Sequence, residues 1–423
     1  MHAPSSTHPP GMPNTTPATA SEADISVLLV DDSKVIRLSL AAMLGGRYRV
    51  REARNGRDAI AQYHLEKPDI MILDVNMPEL DGFGVVDYVR NEVHDQETFI
   101  LVLTAEDDRT VRPRILSLGA NDFLAKPCER VELLARTQVA ARQMRLTRSL
   151  KASLASLAGE LHTVGRLQQI MLPQASPFLK GLAVDSLYRP SGHASGDYFD
   201  YFPVGEHVLR LVVADVSGHG ARAACLMAIV RTIFHVSKTL HMDLTPTMEL
   251  LNDQFLEILA AAPDHLTCFV ADIDRRRNTI TWCNAGHCPP LLFSPNGFSR
   301  RLDPTAPLMG FFRAPWLTHT LPWTRGSRLF CYTDGFFEWL LPDADQHMLG
   351  LDRFVELAIS LEAARQQDAS PARFLERLDQ ALSRLANALP VAEFPDPAQA
   401  MPAAPLAPTF RDDCTALWVE ALE

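Results

Sequence analysis

Residues 209–220 read LRLVVADVSGHG, and the way this stretch folds decides the larger half of the chain. Leu209, Leu211, Val212, Val213 and Ala214 make a run of mostly branched apolar residues, the mark of a buried β-strand. The strand delivers Asp215 to its end, and Gly218 and Gly220 open a tight turn into an apolar helix from about residue 221. A carboxylate at such a point has two readings: it caps the helix, or it faces a cation together with backbone carbonyls. SGDYFD (195–200) supplies Asp197, LFCYTDG (329–335) places Asp334 at the end of another apolar strand, and DDCTALWV (412–419) sets Asp412 and Asp413 before a third. If these ends converge, two carboxylates about 4 Å apart repel by roughly 4 kcal/mol at an effective dielectric of about 20. Hard divalent cations relieve that repulsion. Oxygen ligands favour Mg²⁺ or Mn²⁺, and two close cations suit the displacement of a phosphoryl group.

SGDYFD, ADVSGHG, NAGHCPPL, YTDGFFE and DDCTALWV together, in this order, resemble the metal-dependent protein phosphatases (the PPM, or protein phosphatase 2C, family). The likeness is to their bacterial stage II sporulation protein E-type branch and covers about residues 166–423. It implies an α+β fold, an α-β-β-α sandwich, holding two Mn²⁺ or Mg²⁺ ions. It also implies a protein-serine/threonine phosphatase whose catalytic carboxylates are Asp197, Asp215, Asp334 and Asp412. By the same resemblance Asp215 bridges both ions, the Val216 carbonyl supports one, and Asp413 is either a further ligand or a hydrogen-bonding neighbour. The implied substrate is a small phosphorylated anti-sigma-factor antagonist. The chain departs from the branch at Ser195, where a second glycine is usual; serine costs backbone freedom there and brings a hydroxyl near the site. His193, His219 and His287 lie near motif glycines and read as hydrogen-bonded structural histidines, with general acid the alternative role. Asp272 and Asp274 end a strand and read as turn caps.

The chain has 423 residues, enough for two or three domains with cores of their own. A net charge of −11 without a basic stripe argues against a nucleic-acid partner. No apolar run reaches the roughly 18–20 residues that span a membrane, and the first residues lack a signal-peptide pattern. Seven cysteines without a C-x-x-C pair read as reduced thiols of a cytoplasmic protein. Cys283, His287 and Cys288 have the wrong spacing for a zinc finger.

Residues 1–23, rich in Pro, Ser, Thr and Ala, read as a disordered tail. Residues 24–145 alternate strands (27–30, 49–53, 70–74, 99–104, 122–125) with helices (33–44, 57–66, 80–91), which implies an α/β doubly wound parallel sheet. Such sheets place their chemistry at the carboxyl ends of the strands. Asp31 and Asp32 end the first strand, Asp74 the third and Thr104 the fourth, and Lys126 follows the fifth. Three carboxylates there hold Mg²⁺ and leave Asp74 a nucleophile toward phosphorus, with Thr104 and Lys126 placed for the new phosphoryl oxygens. The set resembles a two-component response-regulator receiver domain, of flavodoxin-like fold. The resemblance makes Asp74 the phospho-acceptor from a cognate sensor histidine kinase, Asp31, Asp32 and the Asn76 carbonyl its Mg²⁺ shell, and Phe123 with Thr104 the switch. Pro113 falls inside the expected fourth helix and delays its start.

Residues 146–172 form a helical linker. Leu150, Leu154, Leu157, Leu161, Val164 and Met171 fall on alternating four- and three-residue steps, the seam of a parallel coiled-coil homodimer or of one amphipathic helix lying on its own domain. Gln168 fills the gap as a polar break that keeps a dimer switchable. The domain from 173 to 423 includes strands at 182–188, 209–215, 268–274, 279–284, 328–333 and 414–419 and helices at 221–240, 245–261 and 371–389. A Pro- and Ala-rich flexible loop occupies 390–408. Two function classes follow: a receiver-controlled metal-dependent phosphatase, or a non-enzymatic phosphatase-fold module that sequesters a partner. The complete carboxylate set favours the enzyme, and no helix-turn-helix supports a transcription factor.

Overall fold

The computed structural model describes residues 24–105, 111–174, 180–218, 220–258, 264–339, 348–367, 373–387 and 412–422. The expected tail 1–23, the loop 390–408 and His219 lie outside the described residues. Contacts divide the chain into two compact units, Met1–Ala155 and Ser156–Glu423.

The first unit runs β1 (Ser26–Val30), α1 (Lys34–Leu44), β2 (Arg49–Ala53), α2 (Gly56–Leu65), β3 (Ile70–Asp74), α3 (Gly82–Asp87), β4 (Phe99–Ala105), α4 (Val111–Ser117), β5 (Asp122–Lys126) and the start of α5 (Arg130–Met171). The strands form one parallel sheet in the order β2-β1-β3-β4-β5, flanked by helices in the flavodoxin-like manner. β1 and β3 are buried along their whole length, as strands covered on both faces are, and apart from Ser26 and Asp74 at their ends they read as apolar runs. Ser33 caps α1 by accepting the Ile36 amide, and Gly45 ends the helix in the left-handed region. The third helix, expected as one piece, passes into a π-helical turn at Tyr88–Glu92. That turn tucks Arg90 inward, where it donates to the carbonyls of Gly119 (2.8 Å) and Thr98 (2.7 Å) and to Asn121 Oδ1 (2.9 Å). Pro113 is in the first turn of α4, where no intrahelical donor is required.

The second unit holds β6 (Leu182–Arg189), β7 (Asp197–Val204), β8 (Val208–Val216), α6 (Ala221–Thr239), α7 (Leu244–Ile258), β9 (Leu266–Asp274) and β10 (Thr279–Ala285). There follow β11 (Leu291–Phe293), β12 (Ser299–Arg301), β13 (His319–Pro322), β14 (Arg328–Tyr332), α8 (Leu351–Gln367), α9 (Phe374–Asn387) and β15 (Cys414–Ala421). Two antiparallel sheets result, β13-β10-β9-β8-β7 and β12-β11-β14-β15-β6. Leu211 and Val213 share one core with Leu329, Cys331, Leu417 and Val419 of the other sheet, and with Met227, Phe234 and Phe255 of α6 and α7. Phe330, Tyr332 and Trp418 pack outward against Phe354 and Phe374 of α8 and α9. The layers are therefore α-β-β-α. Strand β7 escapes a reading by alternation because Asp197 to Phe202 are buried on both sides.

Arg210 of β8 is fully buried and pairs in two-pronged fashion with Asp272 of β9, at 2.7 Å for both contacts. Its remaining donors reach the Met242 carbonyl (2.9 Å) and Thr247 Oγ1 (3.1 Å). Asp272 is thus a strand-to-strand ion partner and not the turn cap expected of it, because its side chain faces the arginine across the sheet. Asp274 does cap its turn, accepting the amides of Arg276 and Arg277. Arg210→Met leaves a carboxylate in a dry place and is expected to destabilise this unit by about 3–5 kcal/mol. Arg210→Met with Asp272→Leu is expected to recover most of that loss, measured by urea denaturation of the whole chain.

Candidate functional sites

At the carboxyl ends of β1 and β3, one carboxylate oxygen from each of Asp31, Asp32 and Asp74 lies within 4.8 Å of the others. Asp31 is fully buried and Asp32 exposed, so the cluster opens to solvent on one side. Arg37 donates to the Asp31 carbonyl at 2.8 Å and pins the strand end. Lys126 Nζ stands 2.7 Å from Asp31 Oδ2 and 2.8 Å from Asp74 Oδ1. Burial works to lower the lysine, but these two carboxylates outweigh it and hold the ammonium above its usual range. Burial raises the Asp74 carboxyl, against the pull of Lys126 and of the nearby Asn76 amide. Thr104 is buried at the end of β4, and the half-buried ring of Phe123 is covered by the Arg112 guanidinium at 4.7 Å. This donor set, three hard oxygens with room on the solvent side, fits Mg²⁺.

In the second unit, antiparallel pairing sets Asp197 of β7 opposite Asp215 of β8. Asp334 follows β14 and Asp412 precedes β15, two neighbouring strands of the other sheet. Burial, and then the charge of Asp215, hold the Asp197 carboxyl well above its ordinary range. Burial, with Asp334 and Asp412, pushes Asp215 up to about 8. Burial, with Glu338 and Asp412, pushes Asp334 up to about 6. The charges that raise these groups are carboxylates, unlike the first site with its lysine. Among the described residues only Asp31, Asp32 and Asp74 gather three donors within 4.8 Å, so the second set is spread wider than a single tight shell. A Cβ on Gly196 would stand 2.4 Å from the Val216 carbonyl oxygen and 3.3 Å from Asp215 Oδ1, so this contact requires glycine. The Val216 oxygen, Asp215 and Asp197 are thereby held together in a hard-oxygen set that fits Mg²⁺ or Mn²⁺.

Asp413 has both oxygens engaged, Oδ1 by the Ser191 amide (2.7 Å) and hydroxyl (2.9 Å) and Oδ2 by the Gly196 amide (3.0 Å). Of its two possible roles, these contacts are those of a hydrogen-bonding neighbour that ties the 191–196 loop down. Thr333 donates to Asp197 Oδ2 at 3.0 Å. Glu338, passed over in the sequence, belongs to the same acidic group; its place one helical turn beyond Asp334 was the available signal. His287 is buried, shares a hydrogen bond with Thr267 at 2.8 Å, and is pushed down to about 4 by burial, which keeps it neutral. His193 is exposed, with its ring edge-on to His162.

Gln168 corrects an expectation. It is 3% exposed, accepts the Ser195 amide at 2.9 Å and donates to the Ser195 carbonyl at 2.7 Å. It therefore reads its own domain's loop and is not a polar break in an exposed seam; one turn before it, a Cβ on Gly165 would fall 1.7 Å from the His193 carbonyl oxygen.

Residues 205–390 match the stage II sporulation protein E (SpoIIE) family and residues 27–138 the response regulator receiver domain family. Phosphoserine phosphatase RsbP of Bacillus subtilis is 31% identical over 160 residues, 37% of this chain and 40% of that protein. Probable transcriptional regulator ycf27 of Guillardia theta is 41% identical over 120 residues, 28% of this chain and 45% of that protein. The chain spans about half the length of the curated relatives it matches. The SiaA-PP2C domain of Pseudomonas aeruginosa aligns at a TM-score of 0.51 and 18% identity, covering 64% of this chain and 98% of that one, a likeness of fold. Fold and family matches agree that residues 27–138 are a response regulator receiver domain and residues 205–390 a SpoIIE-type domain of the PPM phosphatase fold, joined in one chain.

Proposed function

We propose that the chain is a response regulator whose receiver domain, phosphorylated on Asp74, controls a metal-dependent serine/threonine protein phosphatase. The observation that carries the reading is the group of buried Asp197 and half-buried Asp215 and Asp334, each raised by desolvation and by neighbouring carboxylates. Asp197, Asp215, Asp334, Asp412 and the Val216 carbonyl would hold two Mn²⁺ or Mg²⁺ ions. When bound, such cations supply a water nucleophile near neutral pH and offset charge on the phosphoryl oxygens. Thr333 and Asp413 orient the first of these carboxylates and the loop before it. In the receiver, Asp31, Asp32 and the Asn76 carbonyl would hold Mg²⁺. Asp74 takes a phosphoryl group from a sensor histidine kinase, and Lys126 and Thr104 meet its oxygens. The name of the RsbP relative, a phosphoserine phosphatase, supports phosphoserine as the group hydrolysed; we assign a small anti-sigma-factor antagonist of a partner-switching pathway as the substrate.

We further infer that α5 carries the signal. Leu150, Leu154 and Leu157 are each more than half exposed, and a parallel homodimer would cover them, whereas Gly165 and Gln168 of the same helix touch the loop that leads into Asp197. A change in helix packing driven by Asp74 phosphorylation would therefore act on that loop, and phosphorylation raises activity.

Incubation with a small acyl phosphate and Mg²⁺ is expected to label the wild type and not Asp74→Asn; equal labelling would remove Asp74 from the role. Asp215→Asn and Asp334→Asn are each expected to lower hydrolysis of a phosphorylated antagonist by several orders of magnitude while circular dichroism stays unchanged. Near-wild-type turnover by either variant would favour the sequestering module instead. Leu154→Glu with Leu161→Glu is expected to give a monomer that still accepts phosphate on Asp74 but no longer responds in phosphatase rate. A preserved response in a demonstrated monomer would end the helix proposal.

A further inference from the structure

Strand β7 is the outer strand of its sheet, with β8 on one side only. The Val216 amide donates to the Gly196 carbonyl at 3.3 Å, which puts Gly196 and Val216 at a hydrogen-bonding position of the ladder, although the Gly196 amide itself goes to Asp413. The next pair along, Asp197 with Asp215, is then the non-bonded kind, and the Asp197 amide turns away from β8. Among the described residues no strand pairs on that side. The Ser195 hydroxyl accepts that amide at 3.0 Å. The same device recurs further along, where Asp200 Oδ1 accepts the Tyr201 amide at 2.8 Å. Both Ser195 and Asp197 are buried, at 0% and 1% exposure, so solvent does not stand ready to replace a missing acceptor.

Every other polar group of Ser195 is also taken. Its amide and carbonyl bond Gln168 of α5, and its hydroxyl lies beside the Tyr188 phenol of β6. Ser195 is not among the residues with positive φ, so nothing in its backbone asks for glycine. The residue where this chain departs from the usual two glycines is thus a junction of α5, β6 and β7 immediately before the Gly196 contact with the Val216 oxygen.

We propose that Ser195 is a positioning residue for Asp197, its hydroxyl taking the outward amide of the edge strand and so holding that carboxylate in the metal-binding set. The inference rests on the metal-site reading given above. In this chain a glycine at position 195 would not be neutral. It would leave the Asp197 amide without an acceptor and free the strand end to rotate its carboxylate away from Asp215.

The test is Mn²⁺ titration by calorimetry on the full chain carrying Asp32→Asn, which removes a carboxylate from the receiver's cation site. A further Asp215→Asn variant identifies the heat that belongs to the phosphatase site. Ser195→Ala and Ser195→Gly are each expected to bind Mn²⁺ there about 10–100-fold more weakly, the usual effect of removing a group that orients a ligand. The same variants melted in EDTA report the purely structural contribution. A lowered melting temperature with Mn²⁺ affinity within twofold of the parent would overturn the proposal. Absence of any Asp215-dependent Mn²⁺ binding in the parent would overturn the metal-site reading itself, and this inference with it.

Discussion

The second unit is built around one electrostatic conflict. Pairing of β7 with β8 puts Asp197 across from Asp215, and the neighbouring sheet adds Asp334 to the same half-buried region. Like charges gathered in one region repel, and desolvation adds to that cost. A folded chain tolerates this only where the backbone leaves no alternative. Gly196 against the Val216 oxygen and Gly335 against the Asp413 carbonyl are contacts that a Cβ would break, at 2.4 Å and 2.1 Å respectively. They lock the acidic strand ends in place, and the apolar layers behind them contribute the stability that the carboxylates give up.

The receiver meets a similar conflict differently. There an internal cation, Lys126, stands within hydrogen-bond distance of Asp31 and Asp74, and a third carboxylate, Asp32, stays in solvent. The negative charge is partly balanced by the chain itself. In the phosphatase domain the charges that raise Asp197, Asp215 and Asp334 are other carboxylates, so that group gains far more from cations supplied from outside.

Helix α5 joins these two environments and has two characters along one axis. Around Leu150 to Leu157 it presents apolar side chains to solvent. Around Gly165 to Gln168 it is committed to the backbone of the 193–195 loop, through a contact that excludes any side chain and through a reciprocal amide pair. Hydrogen bonds of that kind are directional, so a rotation of the helix end would be felt by the loop as a displacement rather than as a loss of general packing.

The sequence by itself determined the parallel sheet, because strands covered on both faces must be apolar along their middle, and β1, β3 and β4 are, with polar residues only at or near their ends. It also determined which acids stand at strand ends, since an aspartate closing an apolar run has nowhere else to go: Asp31, Asp74, Asp215 and Asp334 were all visible in this way. Tertiary structure alone decided the rest. Strand β7 has no alternation to read, because it is buried on both sides despite lying at a sheet edge. By sequence Gln168 reads as a polar break in a heptad seam, Asp272 as a turn cap and Asp413 as either a ligand or a hydrogen-bonding neighbour, and each has a partner more than twenty residues away in Ser195, Arg210 and Gly196. The physical reason is common to the three. A polar side chain's spacing records which face of its own element it occupies, but the group that satisfies it there belongs to another element, and only the packing of the two brings donor and acceptor to within 3 Å.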